Sequence, residues 1–326
     1  MVLTEHVRTL GRELLERHGE RVHKVAIHAG FTCPNRDGTL GRGGCTFCNN
    51  RSFSPNARRV VPIAEQIAAG RRVIRRRTGA RKYLAYFQAY TNTYGKALEE
   101  LAALYEAALA EPDVIGLAVG TRPDCVPDAV LDLLAGYQAR GYEVWLELGL
   151  QSAWDVTLER VNRGHGFAAY RDAIRRAHAR GLKVCTHLIL GLPGETSRHA
   201  HGTLDQVLAL GVEGLKFHPL HVVRHTLLAH QWRRGRYRPL TMQEYVSLVV
   251  DLLERTPPEV VIHRVTGTAG TDILLAPAWC AHKWIVINAI VREFRRRSSR
   301  QGCRVTSDSP DPPVAPPAPG LQQARS

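Results

Sequence analysis

The sequence predicts an α/β fold, a partial (β/α)6 TIM-like barrel of parallel strands with a small α-rich C-terminal extension. Three observations predict it. Short apolar runs recur six times before residue 222. Each is followed by a helical pattern long enough for a crossover, which makes the strands parallel. The runs are almost continuously apolar, as strands covered on their outer face must be. A doubly wound sheet is the alternative arrangement of the same elements.

Taken in order, an amphipathic helix is expected over 3–17, with Val7, Leu10, Leu14 and Leu15 on one face. Strands are expected at 24–28, 83–88, 114–119, 143–148, 183–190 and 214–218. Helical patterns between them cover 62–77, 96–110, 127–140, 154–161 with 167–180, and 196–210. The core therefore spans 1–222. Helices near 226–233, 241–255 and 283–296, with a short strand at 260–265, make an extension over 223–296 packed on it. Residues 297–326 are rich in Pro, Ser and Ala, lack periodicity, and are expected to be a disordered tail.

Composition narrows the class. With 326 residues and 44% apolar content the chain can bury a large core. The charged first turn does not read as a signal peptide, and no apolar run reaches 18 residues, so no membrane span is expected. Seven cysteines, odd in number and unevenly spread, do not make a disulfide framework. A reducing, cytoplasmic location follows. The net charge is +14, yet only six of the 44 basic residues are Lys. The arginine clusters at 71–77, 233–238 and 295–300 read either as solvated faces or as a docking surface for a phosphate backbone. There is no P-loop, dinucleotide fingerprint, Gly-x-Ser-x-Gly or His-Glu-x-x-His, which removes the simplest NTPase, Rossmann, hydrolase and zincin readings.

The active site of a parallel barrel lies at the C-terminal ends of its strands. The first strand runs into GFTCPNRDGTLGRGGCTFCNN, a loop holding Cys33, Cys45 and Cys48. A closed zinc site wants four protein ligands. An electron-transfer cluster wants four cysteines. Three thiolates can hold an iron–sulfur cluster and leave one iron open. Phe47, beside Cys48, is placed to shield such a cluster. The second strand ends in Gln88-Ala89-Tyr90-Thr91-Asn92-Thr93, small and polar residues suited to a polar ligand or to a helix cap. The third ends in Arg122-Pro123-Asp124-Cys125, with a fourth thiol near the site.

On the fourth strand, period-2 alternation puts Trp145, Glu147 and Gly149 on one face. An inward carboxylate is costly unless used, and Glu147 would suit a ribose hydroxyl or an amine. Gln151 follows, then Arg160 and Arg163. The fifth strand carries His187 and Ile189 and ends at Gly191, where glycine allows close approach of a flat ligand such as adenine. The sixth strand carries Lys216, His218 and, just beyond it, His221. Inward histidines are more often core residues than catalysts; three at adjacent strand ends raise His187 and His218 as candidates.

Together these residues resemble a radical S-adenosylmethionine (SAM) enzyme. More narrowly, the chain is similar to the bacterial YhcC-like proteins, relatives of the Elongator catalytic subunit's radical SAM domain. The resemblance covers about 5–295. It rests on the cysteine loop, YLAYFQAYTNTY, VGTRPDCVPD, EVWLELGLQSA, NRGH, LILGLPGE, HPLH and ILLAPAWC. The cysteine spacing departs from the common CxxxCxxC and fits this subfamily's longer first gap.

The resemblance implies a [4Fe–4S] cluster on Cys33, Cys45 and Cys48, with SAM on the open iron. It sets Gln88, Ala89 and Tyr90 near the SAM amino group, Glu147 and Gln151 near the ribose, Arg163 or Arg160 at the carboxylate, and Ile189 and Gly191 near adenine. Cys125, His187 and His218 are left as catalytic candidates. The implied reaction is reductive cleavage of SAM to a 5′-deoxyadenosyl radical. The electron would come from a donor such as flavodoxin or ferredoxin. RNA, tRNA above all, is one implied substrate; a small metabolite or peptide is the alternative, and a zinc-stabilised binding module a third.

Overall fold

Seven parallel strands form one curled sheet in the computed structural model, which describes residues 2–49 and 61–305. The strands are β1 (Val22–Ile27), β2 (Lys82–Phe87), β3 (Val114–Thr121), β4 (Glu143–Gln151), β5 (Lys183–Leu190), β6 (Gly214–Pro219) and, from the extension, β8 (Val261–Arg264). Their order is β1-β2-β3-β4-β5-β6-β8, so sequence neighbours are spatial neighbours until β8. The result is a half-barrel whose two edges are β1 and β8.

Helices cover the outer face: α3 (Ile63–Thr78), α4 (Leu98–Leu109), α5 (Asp128–Ala139), α6 (Asp155–Arg160), α7 (Phe167–His178) and α8 (Ser197–Leu208). Leu117, Val119, Leu146, Leu148, Val184 and Phe217 meet them in the main core. The opposite face of the same strands closes the barrel floor. There Leu84, Ala118, Trp145, Cys185 and Val261 pack with Leu14 of α1 (Leu10–His18).

Three expectations change. The helix expected from residue 3 is a short 3-10 turn over Leu3–Glu5, and α1 begins only after Thr9, whose hydroxyl accepts from the Arg12 backbone N–H. An N-cap hydroxyl of this kind fixes a helix start that the apolar spacing alone places too early. The six-stranded sheet gains a seventh strand, and the expected break after 222 is not a break in the sheet, because β8 pairs with β6. An edge strand offers unpaired backbone groups, and β8 satisfies those of β6.

The tail expected from 297 is packed through 305: Gln301 donates its backbone N–H to His6, and its side chain donates to the carbonyls of Pro257 and Val260. A polar side chain with such partners orders a segment that composition marks as disordered. The rest of that expectation, 306–326, lies outside the described residues. After β6 come β7 (Val222–Val223), α9 (Leu227–Arg233), α10 (Met242–Arg255), β9 (Leu274–Ala276) and α11 (Lys283–Arg297). Among the described residues no helix is long and apolar enough to cross a membrane.

Candidate active site

One cavity lies at the C-terminal ends of the strands, with about 1300 Å³ of empty space including its open mouth.

The mouth is built by the cysteine loop. Cys33 is the N-cap of α2 (Pro34–Asp37), a single turn started by proline and ended by Gly38 in the left-handed region. Gly44, at φ +82°, sits where a Cβ would meet the Arg36 side chain at 2.8 Å. That close approach lets Arg36 reach across and donate to the Cys48 carbonyl. Cys45 and Cys48 are joined by a turn in which the Cys48 N–H donates to the Cys45 carbonyl at 3.0 Å. Cys45 is buried, and its sulfur faces Arg163 Nη1 at 3.6 Å and Asn35 Nδ2 at 3.8 Å. Burial, then the neighbouring Cys45, pushes the Cys48 thiol up to about 11, with Cys33 adding to the effect. Cys33, Cys45 and Cys48 all line the cavity.

They are not drawn together as ligands of one small ion would be. Among the described residues, the grouping of three metal-type donors within 4.8 Å of one another is Glu147, Cys185 and His263. Four sulfurs around one zinc, at about 2.3 Å each, lie only about 3.8 Å apart. The Glu147 grouping is no cation site either, since two ammonium groups already hold its carboxylate.

The middle layer of the barrel is that charged cluster. Glu147 is fully buried and accepts from Lys216 at 2.6 Å and from Lys24, with His187 at 2.7 Å and His263 at 3.4 Å. Lys216 also donates to the Tyr86 hydroxyl at 2.7 Å. Burial alone would raise the Glu147 pKa; Lys216 and Lys24 more than offset it and hold the group well below the usual carboxylate range. Burial pushes Lys216 down to about 8 and His187 to about 4, so His187 is a neutral imidazole near neutral pH. The amine expected beside Glu147 is thus present, but as lysine side chains rather than a ligand.

Above this layer, Gln88, Tyr90, Gln151, Arg163, Ile189, His187, His218 and His221 all line the cavity with the three cysteines. Arg163 is buried and donates to the Gly149 carbonyl, while Arg122 pairs with Asp124 at 2.7 Å and donates to the Arg163 carbonyl at 2.7 Å. Tyr90 (φ +66°) and Gln151 (φ +82°) are held in the left-handed region. Such backbone costs about 1–3 kcal/mol per residue and concentrates at functional sites.

Four candidates fall outside the lining. Arg160 donates to the Pro193 carbonyl at 2.7 Å. Ala89 is fully buried behind it. Gly191 permits a close approach, but to Leu240, whose side chain a Cβ would meet at 3.0 Å. The glycine there serves packing of the extension on β5. Cys125 is buried beside Asp124, and burial pushes its thiol up to about 12. Phe47 lines the cavity next to Cys48 and packs with Val161, Leu192 and Leu220.

Sequence reasoning missed Lys24, Tyr86, His263 and Arg264. A lysine inside the apolar run of β1 was the available signal for Lys24; Arg264 had none.

The loop after β5 carries a testable feature. Ser152 donates to Glu195 Oε1 at 2.5 Å, and burial raises the Glu195 pKa to about 7. An unfolded Glu titrates near 4.3. Between about pH 4.3 and 7 the folded chain therefore keeps a proton that the unfolded chain has lost, and stability falls as pH rises through that window. Glu195→Gln should stabilise the chain above pH 7 by up to about 3 kcal/mol and flatten the profile between 4.3 and 7. Denaturant titrations at pH 5 and 8 read it.

The half-barrel, its cavity at the strand ends and a three-cysteine loop over the mouth define the radical SAM class. The chain matches the radical SAM superfamily over residues 33–207 and the Radical_SAM C-terminal domain over 212–296. It belongs to the radical SAM superfamily of enzymes. It is 50% identical over 284 residues to protein YhcC of Escherichia coli K12, covering 87% of this chain and 91% of that one. It is 40% identical over 297 residues to uncharacterized protein YtqA of Bacillus subtilis, covering 90% and 91%. The archaeal Methanocaldococcus infernus Elp3 superposes with a TM-score of 0.62 at 18% identity, over 86% of this chain and 64% of that one. That likeness is one of fold.

Proposed function

We propose that Cys33, Cys45 and Cys48 hold a [4Fe–4S] cluster, that SAM binds in the cavity beneath it, and that the substrate is RNA. The observation that supports the cofactor reading is that Cys33, Cys45 and Cys48 line one cavity at the strand ends, joined there by no other cysteine among the described residues. The chemistry such a pair supplies is reductive cleavage of SAM to methionine and a 5′-deoxyadenosyl radical, with an electron from a flavodoxin- or ferredoxin-type donor.

The chain's own residues then position and shield. Arg163, beside Cys45, is suited to the SAM carboxylate. The backbone of Gln88, Ala89 and Tyr90 is suited to the amino group. Gln151 takes the ribose side in place of Glu147, whose oxygens are already occupied. Ile189 offers an apolar surface for adenine, with Gly191 next to it. Phe47 excludes water from the cluster. His187 and His218 face the substrate side, His187 as a neutral proton acceptor. Cys125 would act only through a movement that brings its thiol to the cavity.

RNA is favoured over a small metabolite or peptide by charge. Arg72, Arg75, Arg76 and Arg77 of α3 are exposed and have no acidic partner among the described residues. The affinity for tRNA should fall linearly with salt on logarithmic axes, with a slope of about −0.7 to −0.9 per phosphate neutralised. Equal weak binding to heparin would remove RNA specificity. For the cofactor reading, anaerobic reconstitution, dithionite reduction and incubation with SAM should yield 5′-deoxyadenosine. Zinc without iron or sulfide would sink it.

A further inference from the structure

The cavity lining holds Arg36, Arg122, Arg163, Lys216 and Arg264 against one carboxylate, Glu147. Arg122 is paired with Asp124, Arg36 and Arg163 lie beside the thiols, and Lys216 shares Glu147 with Lys24. Arg264 is different. Its guanidinium is half-buried at the end of β8, opposite Lys216 in the strand register, and makes no hydrogen bond or ion pair among the described residues. His218 lines the same region, and burial together with Arg264 keeps its imidazole neutral. Burial, with the charges of Arg264 and Arg77, lowers the pKa of Lys283 at the start of α11. A half-buried cation without a counter-charge is costly, and an oxyanion at that place would remove the cost.

We propose that Arg264 and Lys216, with His218 beside them, form a subsite that takes an oxyanion of the substrate, a phosphate or a carboxylate. That the oxyanion belongs to the substrate rests on the radical SAM reading; the anion affinity of the site does not. Two sources share this chemistry, a small phosphorylated or carboxylated molecule and a phosphodiester backbone.

Equilibrium dialysis of the full chain against labelled inorganic phosphate, with and without reconstituted cluster, tests it. We expect one saturable site per chain that persists when SAM is added. Arg264→Gln should weaken it about tenfold or more, the loss of one charge-assisted pair, while Arg264→Lys should restore most of it. Phenylglyoxal labelling of the wild-type chain, mapped by peptide mass, should find Arg264 protected by phosphate, which covers the case in which the glutamine variant misfolds. Displacement by a short oligoribonucleotide identifies the backbone source; displacement by acetate or a nucleoside monophosphate alone identifies the small one. No saturable site, unchanged affinity in Arg264→Gln with no protection of Arg264, or displacement of phosphate by SAM overturns the subsite. Failure of the cofactor reading shows separately, as missing iron, sulfide and 5′-deoxyadenosine in the wild-type chain.

Discussion

Cys45→Ala should take reconstituted iron and sulfide from about four each per chain to background, and 5′-deoxyadenosine formation with them. Of the three thiols, Cys45 is the buried one and the one flanked by Arg163 and Asn35. Two cysteines cannot anchor the cluster at that depth. The fold should survive, because the sulfur is small and the loop is held by other bonds: the Thr46 N–H donates to Val161, and Asn162 donates to Gly44. Circular dichroism should be unchanged, and stability should shift by about 1 kcal/mol or less. Iron retained in Cys45→Ala would move the cluster away from this loop.

Glu147→Gln should cost about 3–5 kcal/mol, a large share of the 5–15 kcal/mol typical of a folded domain. The carboxylate compensates two ammonium groups, Lys24 from β1 and Lys216 from β6, and it is fully buried. Removing it leaves both lysines with no counter-charge in the barrel. Lys216, already pushed down to about 8 by burial, would lose the carboxylate that holds its pKa up. A denaturant titration measures the loss. The double variant Glu147→Gln, Lys216→Met should lose less than the sum of the two single changes, because it removes both members of one buried pair. Additive losses would show that the two do not depend on each other. The pH dependence has a definite sign. Glu147 has a folded pKa well below its unfolded value, so its contribution is complete above about pH 5 and declines as pH falls below that.

The order of strands and helices was legible because it is local. Each βα unit reports itself through its own run of apolar residues, and the structure places α3, α4, α5, α7, α8 and α10 within a few residues of their expected bounds. The cysteine loop was legible for the same reason: three cysteines lie within sixteen residues and their punctuation by Gly and Pro marks a loop. Glu147 was visible as a charge in an apolar strand, and its inward direction followed from the pleat. Its partners were not visible. Lys24 and His263 touch across the gap between β1 and β8 from positions 239 residues apart. Nothing near either residue in sequence announces the other. Gly191 and Cys125 were singled out for residue type and position at a strand end, and the structure sets Gly191 against Leu240 and buries Cys125 beside Asp124.

What the sequence determined by itself is the class: a parallel half-barrel whose first strand delivers three cysteines to its mouth, since strand periodicity and ligand spacing are properties of short segments. What only the tertiary structure decided is the floor beneath that mouth. Lys24 of β1 and Lys216 of β6 meet at Glu147 and make it the centre of a compensated cluster, and the seventh strand, β8, adds His263 and leaves Arg264 as one cation over. Charge balance in a low-dielectric interior depends on every group within a few ångströms whatever its place in the chain, and that sum exists only once the strands are side by side.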